Sequence, residues 1–196
     1  MMVFALLIML SGAQESAPLT TYEWLGDCPA ACCGYAAEWT ATADAPAWTE
    51  PLAPDVRTPP GQPAFVVRAG ETVRALTGSL QMLDRGRAVM REDFSTDASY
   101  ANLSARHRQT ITLLAGDEIP LLAPRGAGTW RIWHRGRILD AHLYRVGAED
   151  ACSESSGCAG VILQEPVTRW WVMVVTKDGQ GGWVDASGRF DIPACR

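Results

Sequence analysis

Residues 170–185 read WWVMVVTKDGQGGWVD, an apolar run, a Gly-rich break and a second short apolar run. Val172, Met173, Val174, Val175 and Thr176 favour an extended chain, and Asp178-Gly179 supplies the positive φ angles of a tight hairpin turn. Apolar residues on both faces of the first strand predict a strand covered on both sides. Similar signals predict strands over residues 39–42, 72–78 and 87–90. Residues 129–133 alternate imperfectly, and Gly136 turns the chain into 137–144, which predicts a further hairpin. The prolines at 46, 51, 54, 59, 60 and 63 predict a long loop, because proline is excluded from central strand pairing.

The pattern also repeats. Residues 65–76, FVVRAGETVRAL, align without gaps on 111–122, ITLLAGDEIPLL. The shared order is apolar, any, apolar, any, Ala-Gly-acid, any, apolar, any, any, Leu. Physically this is a strand, a turn with glycine where φ must be positive, and a second strand. Two copies 46 residues apart make no solenoid. They predict two related β-domains, one over 35–95 and one over 110–192. Residues 97–109, DASYANLSARHRQ, combine a capping aspartate with helix-compatible residues, so a short connector over 96–109, helical in part, is expected between them.

Ahead of these domains, residues 1–10 are uniformly apolar and Ser11-Gly12-Ala13 follow with small side chains. This reads as an export signal over 1–13, then a cysteine-rich segment over 14–34. Ten apolar residues fall short of the roughly twenty that span a bilayer, and no later run reaches that length, so no transmembrane segment is expected in the mature chain.

The composition narrows the partners. A formal net charge of −5 and a pI near 5.2 argue against nucleic acid, whose phosphates call for a concentrated basic surface. The basic residues are arginines apart from Lys177, and those between Arg85 and Arg108 are interleaved with Asp84, Glu92, Asp93 and Asp97.

Six cysteines, at 28, 32, 33, 152, 158 and 195, suit an exported chain with disulfides. Cys152 and Cys158 bracket the polar loop SESSG, and a bridge between them is expected. One of Cys28, Cys32 and Cys33 is expected to reach Cys195 and tie the chain's ends together. The alternative is a thiol-dependent envelope enzyme or redox protein using the Cys28 to Cys33 cluster. Against it, C-x3-C-C lacks redox C-x-x-C spacing, and His107, His134 and His142 lie far from it in sequence. No G-x-S-x-G, H-E-x-x-H or phosphate-binding glycine loop is present, and no motif calls for a metal or cofactor.

The A-G-acid strands, followed by WWVMVVTKDGQGGWV, resemble the bacterial Src-homology-3-like (SH3-like) barrel, with Gly182-Trp183-Val184 the best-matched part. DCPAACCGYAAEWTA is similar to the openings of exported bacterial proteins that carry such barrels. The resemblance implies a mainly β chain of two small SH3-like barrels in tandem, joined by the short connector. It implies a periplasmic or secreted, non-catalytic binding module for a cell-wall or envelope component. Capture of proline-rich peptides is not expected, since Asp185-Ala186-Ser187 follow Trp183-Val184 where the peptide groove needs other residues.

Trp39, Trp171 and Trp183 occupy strand positions where a barrel core needs bulk. The densest mixture of aromatic and cationic groups is TWRIWHRGR, residues 129–137. Trp130, Arg131, Trp133 and Arg135, with Trp170 on a neighbouring strand, are the expected rim of a site for an anionic or sugar-containing envelope component.

Overall fold

The computed structural model describes residues 22–29, 34–56, 61–101, 108–152 and 157–192. The expected export signal, Cys32, Cys33 and Cys195 lie outside the described residues. Among the described residues every regular element is a strand, and no helix is long and apolar enough to cross a membrane. The chain is mainly β, folded as two curled sheets with a core each.

The first sheet takes strands from both ends of the chain: β1 (Tyr22–Leu25), β2 (Glu38–Ala41), β3 (Ala45–Trp48), β4 (Phe65–Val67) and β5 (Thr72–Asp84). The second holds the middle: β6 (Gly86–Met90), β7 (Phe94–Tyr100), β8 (Arg108–Leu113), β9 (Glu118–Pro124), β10 (Thr129–His134), β11 (Arg137–His142), β12 (Val146–Ala148) and β13 (Gly160–Gln164). The chain then returns to the first sheet with β14 (Val167–Thr176), β15 (Gly181–Asp185) and β16 (Phe190–Asp191).

The strand order is β16-β2-β5-β14-β15-β3-β4 in the first sheet, with β1 also on β5. In the second it is β12-β13-β6-β9-β10-β11-β7-β8. Replacing β2, β5, β14, β15, β3 and β4 by β6, β9, β10, β11, β7 and β8 converts one order into the other. The molecule is therefore two units of the same topology, the second inserted into the first between β5 and β14.

This corrects the sequential division at 96–109. The hairpin of β14 and β15, expected in the second domain, belongs to the first sheet, where β14 pairs with β5 along nearly its whole length, from Val167 opposite Asp84 to Thr176 opposite Val73. The connector is not helical where it is described: residues 97–100 belong to β7 and Arg108 opens β8, the two strands pairing antiparallel. The physical reason is alternation. Phe94, Thr96 and Ala98 are buried while Ser95 and Asp97 are exposed, a period of two that small and polar side chains conceal. The proline-rich loop also starts later than expected, since Pro46 lies inside β3 opposite Val66.

The A-G-acid repeat is the same turn twice. Gly70 and Gly116 have φ of 87° and 88°, the left-handed region that glycine enters without strain. Glu71 accepts a hydrogen bond from the Arg68 amide at 2.6 Å, and Asp117 from the Leu114 amide at 2.9 Å. From the preceding turn of each unit, Asp44 accepts from the Ala69 amide at 3.0 Å and Asp93 from the Ala115 amide at 2.8 Å. Even the irregularity recurs: β14 shifts register on β5 between Met173 and Val174, and β10 shifts on β9 between Arg131 and Ile132.

Inside the first unit, Trp39, Ala45, Ala47, Val67, Val172, Val174 and Val184 pack together. Inside the second, Met90, Phe94, Leu113, Leu121, Ile132 and Leu139 do so. The proline-rich loop crosses the outer face of the first sheet, where Gln81 donates to the Leu52 carbonyl at 2.7 Å and Arg169 to the Val56 carbonyl at 2.9 Å.

Candidate functional site

The five residues expected to form a ligand rim do not converge. Trp130 and Ile132 point inward along β10, and Trp130 packs against the second core. Arg131 and Trp133 therefore face outward, by the same period of two. Trp133 is half-buried and its indole N–H is buried without an acceptor among the described residues. Arg135 sits exposed in the turn, with φ of 47° beside Gly136 at 78°. Next to it, burial and then the charge of Arg135 hold His134 below its ordinary pKa. Trp170 belongs to the other unit, 6% exposed in the first core, where its indole N–H donates to the Tyr35 hydroxyl at 3.0 Å.

Arg131 departs furthest from a ligand role. It is 1% exposed although it sits on the outer face. Strand β1 and the segment after it cover it: the Trp24 ring lies 4.6 Å from its guanidinium carbon, and Asp27 accepts from Nη1 at 2.5 Å. Asp140, opposite it on β11, accepts from Nε at 2.8 Å and from Nη2 at 3.0 Å, the bidentate geometry that suits a guanidinium. Arg125 binds Asp27 and the Cys28 carbonyl and lies 3.7 Å from Asp140. Burial alone would push the Arg131 pKa down, but the Asp140 hydrogen bonds and the charges of Asp140 and Asp27 outweigh it and hold it above its ordinary value. Arg131 is thus the hub of a clamp between the two units.

Trp39 is a core residue, wholly buried. Trp171 is buried too, but with Arg169 and Met173 it lies on the outer side of the first sheet, opposite Trp170, Val172 and Val174. Trp183 is half-buried on the same outer side, and its neighbour Val184 takes the core position.

Two concavities occupy the same place on the two units. On the second, Ser95, Asp97 and Ser99 of β7, Arg108 and Thr110 of β8, Thr129 of β10, and Asp140 and His142 of β11 line an open groove of about 400 Å³. Tyr144 stands at its rim, 63% exposed, with the His142 ring 5.4 Å away. Thr129 and His142 are cross-strand partners, and the threonine hydroxyl lies 3.3 Å from Nδ1. The groove offers closely spaced hydroxyls and carboxylates, one guanidinium, one imidazole and an exposed ring face. Sequence reasoning missed it because 97–109 read as a connector; the alternation from Phe94 to Ala98 was the available signal.

On the first unit, Pro46, Trp48, Leu52, Arg169, Trp171, Asp185 and Arg189 line a concavity of about 240 Å³. The cross-strand pair Trp171 and Asp185 stands where Thr129 and His142 stand in the second unit. Trp48 meets Trp171 edge to face at 5.7 Å, and the Arg169 guanidinium lies 5.9 Å from the Trp171 ring centre.

Cys152 and Cys158 are bonded to each other, closing the polar loop as its length and composition predict. Cys28 is also disulfide-bonded, so it presents no free thiol as a nucleophile. Cys32 and Cys33 lie outside the described residues.

No protein-family model matches the chain, and no curated protein or solved structure matches it either.

Proposed function

We propose that this protein is an exported, non-catalytic binding module of the cell envelope, built from two SH3-like barrels, whose second unit holds a sugar-containing polymer in its polar groove. The carrying observation is the groove lining. Serine, threonine, aspartate, arginine and histidine side chains project from four adjacent strands around a space of about 400 Å³, with Tyr144 exposed at the edge. Polyhydroxylated ligands need this combination of many short polar contacts and one ring against which an apolar sugar face can lie. The open shape suits a chain that passes along a surface. The SH3-like reading is supported by the shared strand order and by Gly182-Trp183-Val184 standing in the hairpin of β14 and β15. Export is supported by the apolar amino terminus and by disulfides.

The test is retention on purified cell-wall material. The parent is expected to be retained, and Tyr144→Ala combined with Asp97→Ala to be released, with Arg135→Ala retained like the parent as a control outside the groove. Equal retention of parent and double variant, or no retention of the parent, removes the groove from consideration.

A further inference from the structure

The side chains lining the groove of the second unit stand in rows. On β8, Thr110 is exposed while Ile111 and Leu113 turn toward the core, and on β7, Asp97 is exposed between buried Thr96 and Ala98. Asp97 and Thr110 are cross-strand partners. Ala98 is partnered by Ala141 on β11, and one step further in that register brings His142 level with Asp97. His142 is in turn the partner of Thr129 on β10. One row of outward side chains, Thr129, His142, Asp97 and Thr110, therefore crosses four strands.

The neighbouring rows are engaged within themselves. On one side Arg131 binds Asp140 at 2.8 and 3.0 Å, and on the other the Ser95 and Thr112 hydroxyls lie 3.0 Å apart. In the middle row Thr129 and His142 meet at 3.3 Å, whereas Asp97 and Thr110 have no hydrogen-bond partner among the described residues. The row thus offers a carboxylate and a hydroxyl to a ligand, beside an imidazole and a second hydroxyl.

Spacing decides what such a row can bind. Its successive groups stand one strand apart, about 4.8 Å, whereas outward groups along a single strand stand two residues apart, about 6.8 Å. An extended chain of linked pyranose rings repeats close to the first distance and well short of the second. An extended peptide laid along the row turns alternate side chains away, so those that meet it are again about 6.8 Å apart. Tyr144 stands at the Thr129 and His142 half of the row, 63% exposed, its ring 5.4 Å from the imidazole and packed edge to face on Phe94. A sugar whose apolar face lies on this tyrosine sends the rest of its chain along the row toward Thr110.

We infer that the groove holds an unbranched, extended glycan running across the strands from β10 to β8, with about four consecutive rings in contact over roughly 14 Å. The inference rests on the reading of the groove as the site for a sugar-containing polymer, and it assigns recognition to the polymer's sugar chain and not to any peptide attached to it.

The experiment measures the affinity of the full-length protein for glycan strands freed of their peptides, cut from the same cell-wall material and separated by length. The released peptides are a second probe. Affinity is expected to rise about threefold or more with each added ring up to four, and then to level off. Thr110→Ala, at the far end of the row, is expected to leave strands of one and two rings unaffected and to weaken four-ring strands about threefold or more, at an unchanged unfolding midpoint. A plateau reached with a single ring, an equal loss at every length in Thr110→Ala, binding of the peptides in place of the strands, or no binding of strands of any length overturns the inference. If the parent is still retained on intact wall and released by Tyr144→Ala combined with Asp97→Ala, the groove stands as the wall-binding site and only the glycan assignment falls; without that retention both fall.

Discussion

The two units share a strand order, a glycine turn and a register shift, yet their equivalent outer faces have little chemistry in common. Where the first unit sets Met173 opposite Trp183, the second sets Arg131 opposite Asp140. Where the first has Trp171 and Asp185 under a proline-rich loop, the second has Thr129 and His142 in an open groove. The inward positions must fill a closed volume and the turns must meet fixed φ angles, so both are held to type. The outward positions carry no such obligation. A duplicated scaffold can thus hold two chemistries at one address.

This contrast is most directly broken by truncating tryptophans on either side of the first sheet. Trp39→Ala removes a wholly buried inward ring and is expected to cost about 3–5 kcal/mol in a denaturant titration, while Trp183→Ala, half-buried and outward, costs clearly less. Equal losses would make the outer face a second core and not a variable surface. In the second unit, Asp140→Ala deprives a buried guanidinium of its bidentate partner, and a loss of about 3 kcal/mol is expected from the same titration. A loss near zero would mean that Asp27 alone satisfies Arg131.

The smallest effect concerns the paired turns. Hydrogen bonding from the Ala69 amide, and then from Arg68, holds the Asp44 carboxyl below its ordinary value of 3.8. A carboxylate with a depressed folded pKa adds stability above its unfolded pKa and loses it as pH falls through the folded value. Asp44→Asn is therefore expected to unfold slightly earlier than the parent at pH 7, with the gap closing once the pH drops below 3.8. A gap that does not change with pH would show that the carboxylate's charge is not what holds this turn.

Much of the architecture is legible in the sequence because it depends on local rules. Glycine after alanine with an acid beside it announces both turns, and CSESSGC announces its own bridge. The insertion is not legible. The apolar run of β14 suits any central strand, and nothing local says that its partner is β5, some ninety residues earlier, and not β10 close by. Strand β7 escapes for another reason: serine, threonine and alanine carry too little hydrophobic contrast to mark a face. Arg131 misleads because an arginine between tryptophans looks like a surface cation until Asp27, about a hundred residues away, is brought beside it. The five residues expected at one rim lie apart for the same reason. Which side of a strand a residue faces follows from pairing, and pairing here is long-range.

The insertion also sets an order of assembly. Asp84 and Val167 are cross-strand partners, so the second unit's two ends meet one strand spacing apart. Joining β5 to β14 across some eighty disordered residues would carry a loop-closure cost of about 4 kcal/mol, whereas a second unit already folded holds the two strands together and removes most of it. As the chain leaves the ribosome, β5 appears early with its pairing edge open and waits for β14 until the whole second unit has been made. Damage to the second unit's core therefore reaches the first, whose central pairing depends on a neighbour that contributes none of its strands.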